Sequence, residues 1–309
     1  MYMCVALVAL VVAAAALARA QSRVPMSVMY NSGGWYQLAA ITDNNVGTNG
    51  GGTNTVSQVW AAFNLNGLYA LSTVRYKGST GGGYHCRRLT VKVAYEADPG
   101  SEAAWRTRDA LLDNRDCYST ATVDVSVSVP FAHYVFVAVC ACTGGYPSCS
   151  SGTCASNGAD LYEIEVHGAA YVQLPLASAS VQALVNTDAA NAAHLVDGST
   201  ANDIDFNLIN INGGAAPSSV TYRFGVPWIA ALVRVFGDAS GSHQCGTYTV
   251  EARDSTSGAW TALVTDRACR SASWLYAALA DTRVFEVRFT VVANADDDGV
   301  QVREFEMYG

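Results

Sequence analysis

Two groups of side chains stand where cysteines would hold them in place. His85, Arg87 and Arg88 bracket Cys86, and Arg115 and Tyr118 bracket Cys117. Further along, His243 lies two residues before Cys245, Arg267 lies two before Cys269, and Arg270, Trp274 and Tyr276 follow. An aromatic ring offers a flat apolar face, while guanidinium and imidazole groups offer directed hydrogen bonds, so each set suits capture of a polar ligand. Loops beside a cross-link also carry such residues simply because water reaches them, and the sequence leaves both readings open. Catalysis is disfavoured: there is no G-x-S-x-G elbow, no H-E-x-x-H and no phosphate-cradling glycine loop ahead of a helix. The expectation is a binding protein, not an enzyme.

Other residues with chemical potential are weaker. Asp296-Asp297-Asp298-Gly299 reads as a solvated loop tip, because consecutive carboxylates on one turn seldom converge on an ion. Trp105 and Trp260 follow turn signals on expected strands and read as core. Trp35 and Tyr36, after Ser32-Gly33-Gly34, fit an exposed aromatic pair and a packing strand equally well.

The elements that position these residues come from a chain of 309 residues, half of them hydrophobic, with a formal net charge of −8. Two cores can be buried at that length. The acidic balance and the presence of only two lysines, Lys77 and Lys92, argue against nucleic acid and anionic membrane as partners. Met1 to Leu17 is an apolar run ending in Ala18-Arg19-Ala20, a signal peptide cleaved after Ala20; a retained anchor is the alternative. With the leader and Cys4 removed, eight cysteines remain, an even number that reads as four disulfides in a secreted protein. A zinc site from Cys140, Cys142, Cys149 and Cys154 is disfavoured because no C-x₂-C pair occurs.

An internal repeat organises the chain. Val74-Arg75-Tyr76-Lys77-Gly78 lies against Val233-Arg234-Val235-Phe236-Gly237, and Cys86-x-x-Leu-Thr-Val against Cys245-x-x-Tyr-Thr-Val. Asn-Arg-Asp-Cys117 matches Asp-Arg-Ala-Cys269, and Leu161 to Gly168 matches Val302 to Gly309. Matches in one fixed order point to a duplication. The repeat pairs Cys86 with Cys117 and Cys245 with Cys269. The remaining four cysteines fall in an insertion, 140–154, private to the first copy; of three connectivities the nested one, Cys140–Cys154 around Cys142–Cys149, is expected.

Short runs rich in Val, Tyr and Phe predict strands at Leu89–Tyr95, Ala121–Val129, Tyr134–Val139, Ser219–Phe224, Ala230–Phe236, Thr247–Arg253 and Arg283–Val292, separated by Gly/Asn/Ser clusters. The fold class is all-β, two tandem jelly-roll β-sandwiches. The expected boundaries are a leader over 1–20, a first domain over 21–168, a linker over 169–178 and a second domain over 179–309. Val172, Leu174 and Leu176 give that linker apolar residues that pack on a domain.

The order Asp197-Gly198-Ser-Thr200, Phe224-Gly225, Val233-Arg-Val-Phe-Gly237, Tyr248-Thr-Val-Glu-Ala-Arg, Gly258-Ala-Trp260, Arg288 and Arg303-Glu304-Phe-Glu306-Met-Tyr-Gly309 resembles the discoidin family, also called coagulation factor V/VIII type C domains. That family has the galactose-binding-like jelly roll shared with family 32 carbohydrate-binding modules. The resemblance covers 185–309 and, in a more divergent form, 35–168, where Asn44 replaces the glycine after the aspartate. It implies a structural Ca²⁺ held by Asp197, Thr200, the carbonyl of His194, and Glu304, with Asp43 and Glu163 as first-copy equivalents and Asn45 or Val46 in the remaining slot. It also implies ligands on the loop rim, with carbohydrate as their class and glycans or glycoproteins as partners. The alternative is a structural subunit of an extracellular filament, coat or adhesion complex. Phospholipid binding is disfavoured by the acidic balance.

Overall fold

The computed structural model describes residues 21–309 except 36, 46, 49, 52–57, 81–83, 96–97, 142–145, 147–157, 188, 202–203, 207–216, 240–243 and 294–299. The expected leader, Tyr36, Val46, His243, Asp296 to Asp298, and Cys142, Cys149 and Cys154 therefore lie outside the described residues. So does the nested disulfide pairing; Cys140 itself is buried at the end of a strand. The chain divides into two compact units, Met1–Tyr171 and Val172–Gly309. No described helix is long and apolar enough to cross a membrane.

The first unit contains β1 (Ser22–Arg23), β2 (Ser27–Asn31), β3 (Gly50–Gly51), β4 (Gln58–Gly78), β5 (Tyr84–His85), β6 (Arg88–Ala94), β7 (Ala110–Asp116), β8 (Thr122–Cys140) and β9 (Gly158–Ala170). Their order is β1-β9-β4-β8-β6-β7, with β2 on β4 and both β3 and β5 on β9. The expected strands Ala121–Val129 and Tyr134–Val139 are two halves of β8, which passes through Pro130. Proline donates no ladder hydrogen bond, and the register against β4 shifts nearby, between Tyr69 and Leu71. Such irregularities let one strand bend and serve both layers of a sandwich. The core collects alternate residues of the long strands: Val59, Ala61 and Phe63, then Val135, Val137 and Val139, then Ile164 and Val166.

Trp105 is in that core with no exposed surface, as expected, but on a short helix (Glu102–Arg106) instead of a strand. Ser101 caps the helix through the Ala104 N–H, and Lys92 Nζ donates to the carbonyls of Arg106 and Arg108 at its other end, 2.9 Å each. These caps satisfy backbone groups that would otherwise resist burial beside the sheet.

The second unit contains β10 (Ser180–Val185), β11 (Ile204–Phe206), β12 (Ser218–Gly237), β13 (Cys245–Arg253), β14 (Thr261–Ala268), β15 (Trp274–Ala293) and β16 (Val300–Tyr308). Their order is β11-β16-β12-β15-β13-β14, with β10 on β12. The expected strands Ser219–Phe224 and Ala230–Phe236 are one strand, whose register shifts between Arg223 and Trp228 around Pro227. Its core draws on Val220, Tyr222, Val233, Val235, Val250, Val287, Phe289, Phe305 and Met307. The stretch expected as a linker belongs to the units. Ala169 and Ala170 end β9, while Leu174 and Leu176 are buried in the second core, because their apolar side chains gain more there than in water.

Both units are closed by the expected disulfides, Cys86–Cys117 and Cys245–Cys269, with Cα–Cα distances of 5.3 and 5.2 Å. Each packs against a glycine at the end of a long strand. A Cβ on Gly78 would lie 1.8 Å from the Cys117 carbonyl oxygen, and one on Gly237 would lie 1.8 Å from that of Cys269. No side chain fits at either position.

Candidate functional site

The staple Cys86–Cys117 brings three of the expected rim residues together. The Arg87 guanidinium lies 3.8 Å from the centroid of the Tyr118 ring, and His85 meets the same ring edge-on at 5.2 Å. Each is placed by local backbone. His85 pairs with Ala159 in β5, the Arg87 N–H donates to the Cys140 carbonyl, and the Tyr118 N–H donates to the Asp116 carboxylate. Tyr118 is 40% exposed, and among the described residues His85 Nδ1 is buried without a hydrogen-bond partner. The result is an aromatic face with a cation against it and an imidazole at its edge. Arg88 turns toward the carbonyl of Asn114 at 3.5 Å, and Arg115 stands exposed on β7 opposite Leu89.

The second staple does not gather the same set. Arg267 and Arg270 are exposed near Cys269, but Tyr276 is buried and Trp274 packs on Phe236 and Arg234. The register of β15 decides this: it sets Trp274 opposite Phe236 and Tyr276 opposite Arg234, where they pack on the sheet. Arg234 lies 4.0 Å from the Trp274 ring, and Glu306 accepts from both Arg234 and Tyr308. Trp260, expected in the core, lies half-buried against Arg253 and Arg288, 4.7 and 4.6 Å from its ring. Those arginines pair with Glu286 and Glu251, which cross neighbouring strands of the same face.

The carboxylates assigned to a cation occupy one corner of each unit. In the second, Glu304 on β16 has no exposed surface, and among the described residues neither carboxylate oxygen has a hydrogen-bond partner. The N–H groups of Gly198 and Ser199 lie near enough to favour its charged form but do not meet it in hydrogen-bonding geometry. Burial dominates and pushes its pKa up to about 9, with Glu306 and Asp197 adding to the rise. Asp197, on the adjacent loop, accepts from the Ser199 N–H at 2.8 Å and contacts His194 Nδ1 at 3.1 Å. The His194 carbonyl accepts from the Asp197 N–H, and the Thr200 carbonyl faces Arg303 at 3.5 Å. Among the described residues no three His, Cys, Asp or Glu side chains converge. A cation here would draw on two carboxylates plus carbonyl and hydroxyl oxygens, which is the donor chemistry of a hard ion. An orphaned buried carboxylate fits that requirement.

In the first unit the donors do not fit. Glu163 is buried, with a pKa pushed up to about 7 chiefly by desolvation, but Arg23 already faces it at 3.5 Å. The Asn44 N–H donates to the same Glu163 oxygen at 3.4 Å. Asp43 accepts from the Asn45 N–H and the Thr48 hydroxyl, much as Asp197 accepts from the Ser199 N–H, so Arg23 is the difference between the two corners. Asn44 stands at φ +65° where the second unit has Gly198 at +82°, so asparagine serves the left-handed turn that glycine provides elsewhere.

Arg23 escaped the reading of the sequence. Its signal was there: Arg23-Val24-Pro25-Met26 and Gln173-Leu174-Pro175-Leu176 lead into the two units with one charge difference. Arg234 and Glu306 were visible in the repeat too, with Arg75 and Glu165 in their places, but had no role assigned.

No protein-family model and no curated protein matches the chain. Among solved structures it is similar to a fucolectin from the serum of the striped bass Morone saxatilis, with a TM-score of 0.37 and 12% identity over 94% of this chain and 96% of that one. The CBM32-1 and CBM32-2 domains of Clostridium perfringens ZmpB give 0.35 and 8% over 94% and 93%. Allantoicase from Saccharomyces cerevisiae gives 0.36 and 11% over 94% and 90%.

Proposed function

We propose that the chain is a secreted, non-catalytic carbohydrate-binding protein made of two tandem discoidin-like units, with calcium as a structural ion of the second. The observation that carries the reading is the Arg87–Tyr118–His85 cluster. A sugar ring presents C–H groups to an aromatic face and hydroxyls to planar donors, and the cluster offers both on a disulfide-braced rim. Glu304 supports the calcium assignment, since a buried carboxylate without partners is costly unless it is protonated or meets a cation. Asp197, Glu304, the His194 carbonyl and the Thr200 hydroxyl would hold the ion, tying the loop after the helix Ala189–His194 to the last strand.

One observation favours a second reading, a subunit of an extracellular assembly. Strand β10 is exposed along its whole length, carries no charge, and presents Val181, Leu184 and Val185 to solvent. Uncharged edge strands are templates for pairing with another chain. A glycan array probed with the purified mature chain separates the two. Binding to a coherent glycan class is expected. Binding to no glycan, together with a mass that grows with protein concentration, would favour the assembly.

A further inference from the structure

The lead-in segments of the two units follow the same path with different charge. In the first, Arg23 pairs with His167 on β9, and the Val24 N–H donates to the Val166 carbonyl at 2.8 Å. In the second, Gln173 pairs with Tyr308 on β16, and the Leu174 N–H donates to the Met307 carbonyl at 2.8 Å. His167 and Tyr308 each lie four residues beyond the buried acid of their unit, Glu163 and Glu304. Gln173 therefore stands in the register position of Arg23.

The consequence is electrostatic. The Arg23 guanidinium faces Glu163 at 3.5 Å and Glu165 at 3.7 Å, and donates to the Thr42 carbonyl, one residue before Asp43. That is the loop that in the second unit carries Asp197. A glutamine side chain has no charge to offer; among the described residues neither Glu304 oxygen has a hydrogen-bond partner, and no cation is among the groups that shift its charge. Arg303, the nearest in sequence, is directed to Asp238 and to the Thr200 carbonyl. One buried acid thus has a covalently supplied counter-ion and the other has none.

We propose that Arg23 is the resident cation of the first unit, held where the second unit takes a divalent metal, so that calcium binds the second unit alone. The part concerning the second unit rests on the calcium reading above; the part concerning Arg23 rests on its own contacts. Arg23 lines a cavity of about 370 Å³ together with Thr42 and Glu165, so its side chain is reachable from solvent.

Calcium titration calorimetry and thermal melts on the mature full-length chain test both parts. Wild type should bind a single calcium ion, E163Q should still bind it, and E304Q should not. Q173R should also lose the ion, and its melt should cease to respond to calcium, whereas saturating calcium should raise the wild-type transition of the second unit by about 5–10 °C. R23Q should melt the first unit earlier, and R23Q/E163Q should restore it, because the uncompensated charge has gone. Loss of an ion in E163Q, two ions in wild type, or an R23Q melt like that of wild type would overturn the assignment of Arg23. Wild type binding no calcium would overturn the metal in the second unit, leaving the R23Q and R23Q/E163Q melts to decide Arg23.

Discussion

At the residue scale, the neighbours of a side chain and not its type decided its role. Trp274, grouped by sequence with a ligand rim, lies against Arg234 and Phe236, whereas Tyr118, beside the other staple, stays 40% exposed. Spacing along the chain placed both next to a cysteine. Only strand register, set by pairings far apart in sequence, separated them. Tyr30 shows the same dependence. Its hydroxyl donates to Asp98 at 2.6 Å and accepts from Trp105 Nε1 at 2.8 Å, joining β2 to the short helix. Burial, followed by the hydrogen bond to Asp98, raises its pKa from 10.0 to about 12. A group raised in the folded state contributes its stability below the unfolded pKa and loses it as pH rises through the folded one. Stability of the first unit should therefore fall between pH 10 and pH 12. Denaturant melts of Y30F across that range should show a shallower fall; an identical slope would contradict the assignment.

At the element scale, much was legible. Alternating apolar residues located the long strands, and the repeat of Cys86 and Cys117 in Cys245 and Cys269 gave both described disulfides, each closing a loop that contributes about 3–4 kcal/mol in the chain-entropy model. The bends in β8 and β12 were not legible as single strands, because Pro130 and Pro227 break the hydrogen-bond ladder without ending the strand. The glycines ending β4 and β12 look alike in sequence to any turn glycine, but Gly237 is fixed by the Cys269 carbonyl against its Cα. G237A should destabilise the second unit by about 2–3 kcal/mol, the cost of forcing backbone apart in a packed site. G198N is the control: a side chain there meets nothing within 4 Å, and Asn44 already adopts the left-handed turn. Chemical denaturation of both variants checks the pair, and equal losses would contradict the contact-based argument.

At the scale of the whole molecule, the matched segments of sequence fall in two units that differ in charge and in rim. The first has an internal cation at its acidic corner and an aromatic–cationic cluster beside its staple. The second has an orphaned acid at the same corner and has moved its aromatic residues onto the sheet. On the proposed reading, ligand capture falls to the first unit. The sequence resemblance pointed to the acidic corner in both units; Arg23, which faces Glu163 in one of them, lies 140 residues from it, and no local motif links the two. The most direct test is titration of the best array glycan into wild type and Y118A, with circular dichroism to confirm folding. Y118A should fold and melt like wild type and bind at least about tenfold more weakly, the loss expected for one stacking ring. Unchanged affinity in a folded Y118A would contradict the account.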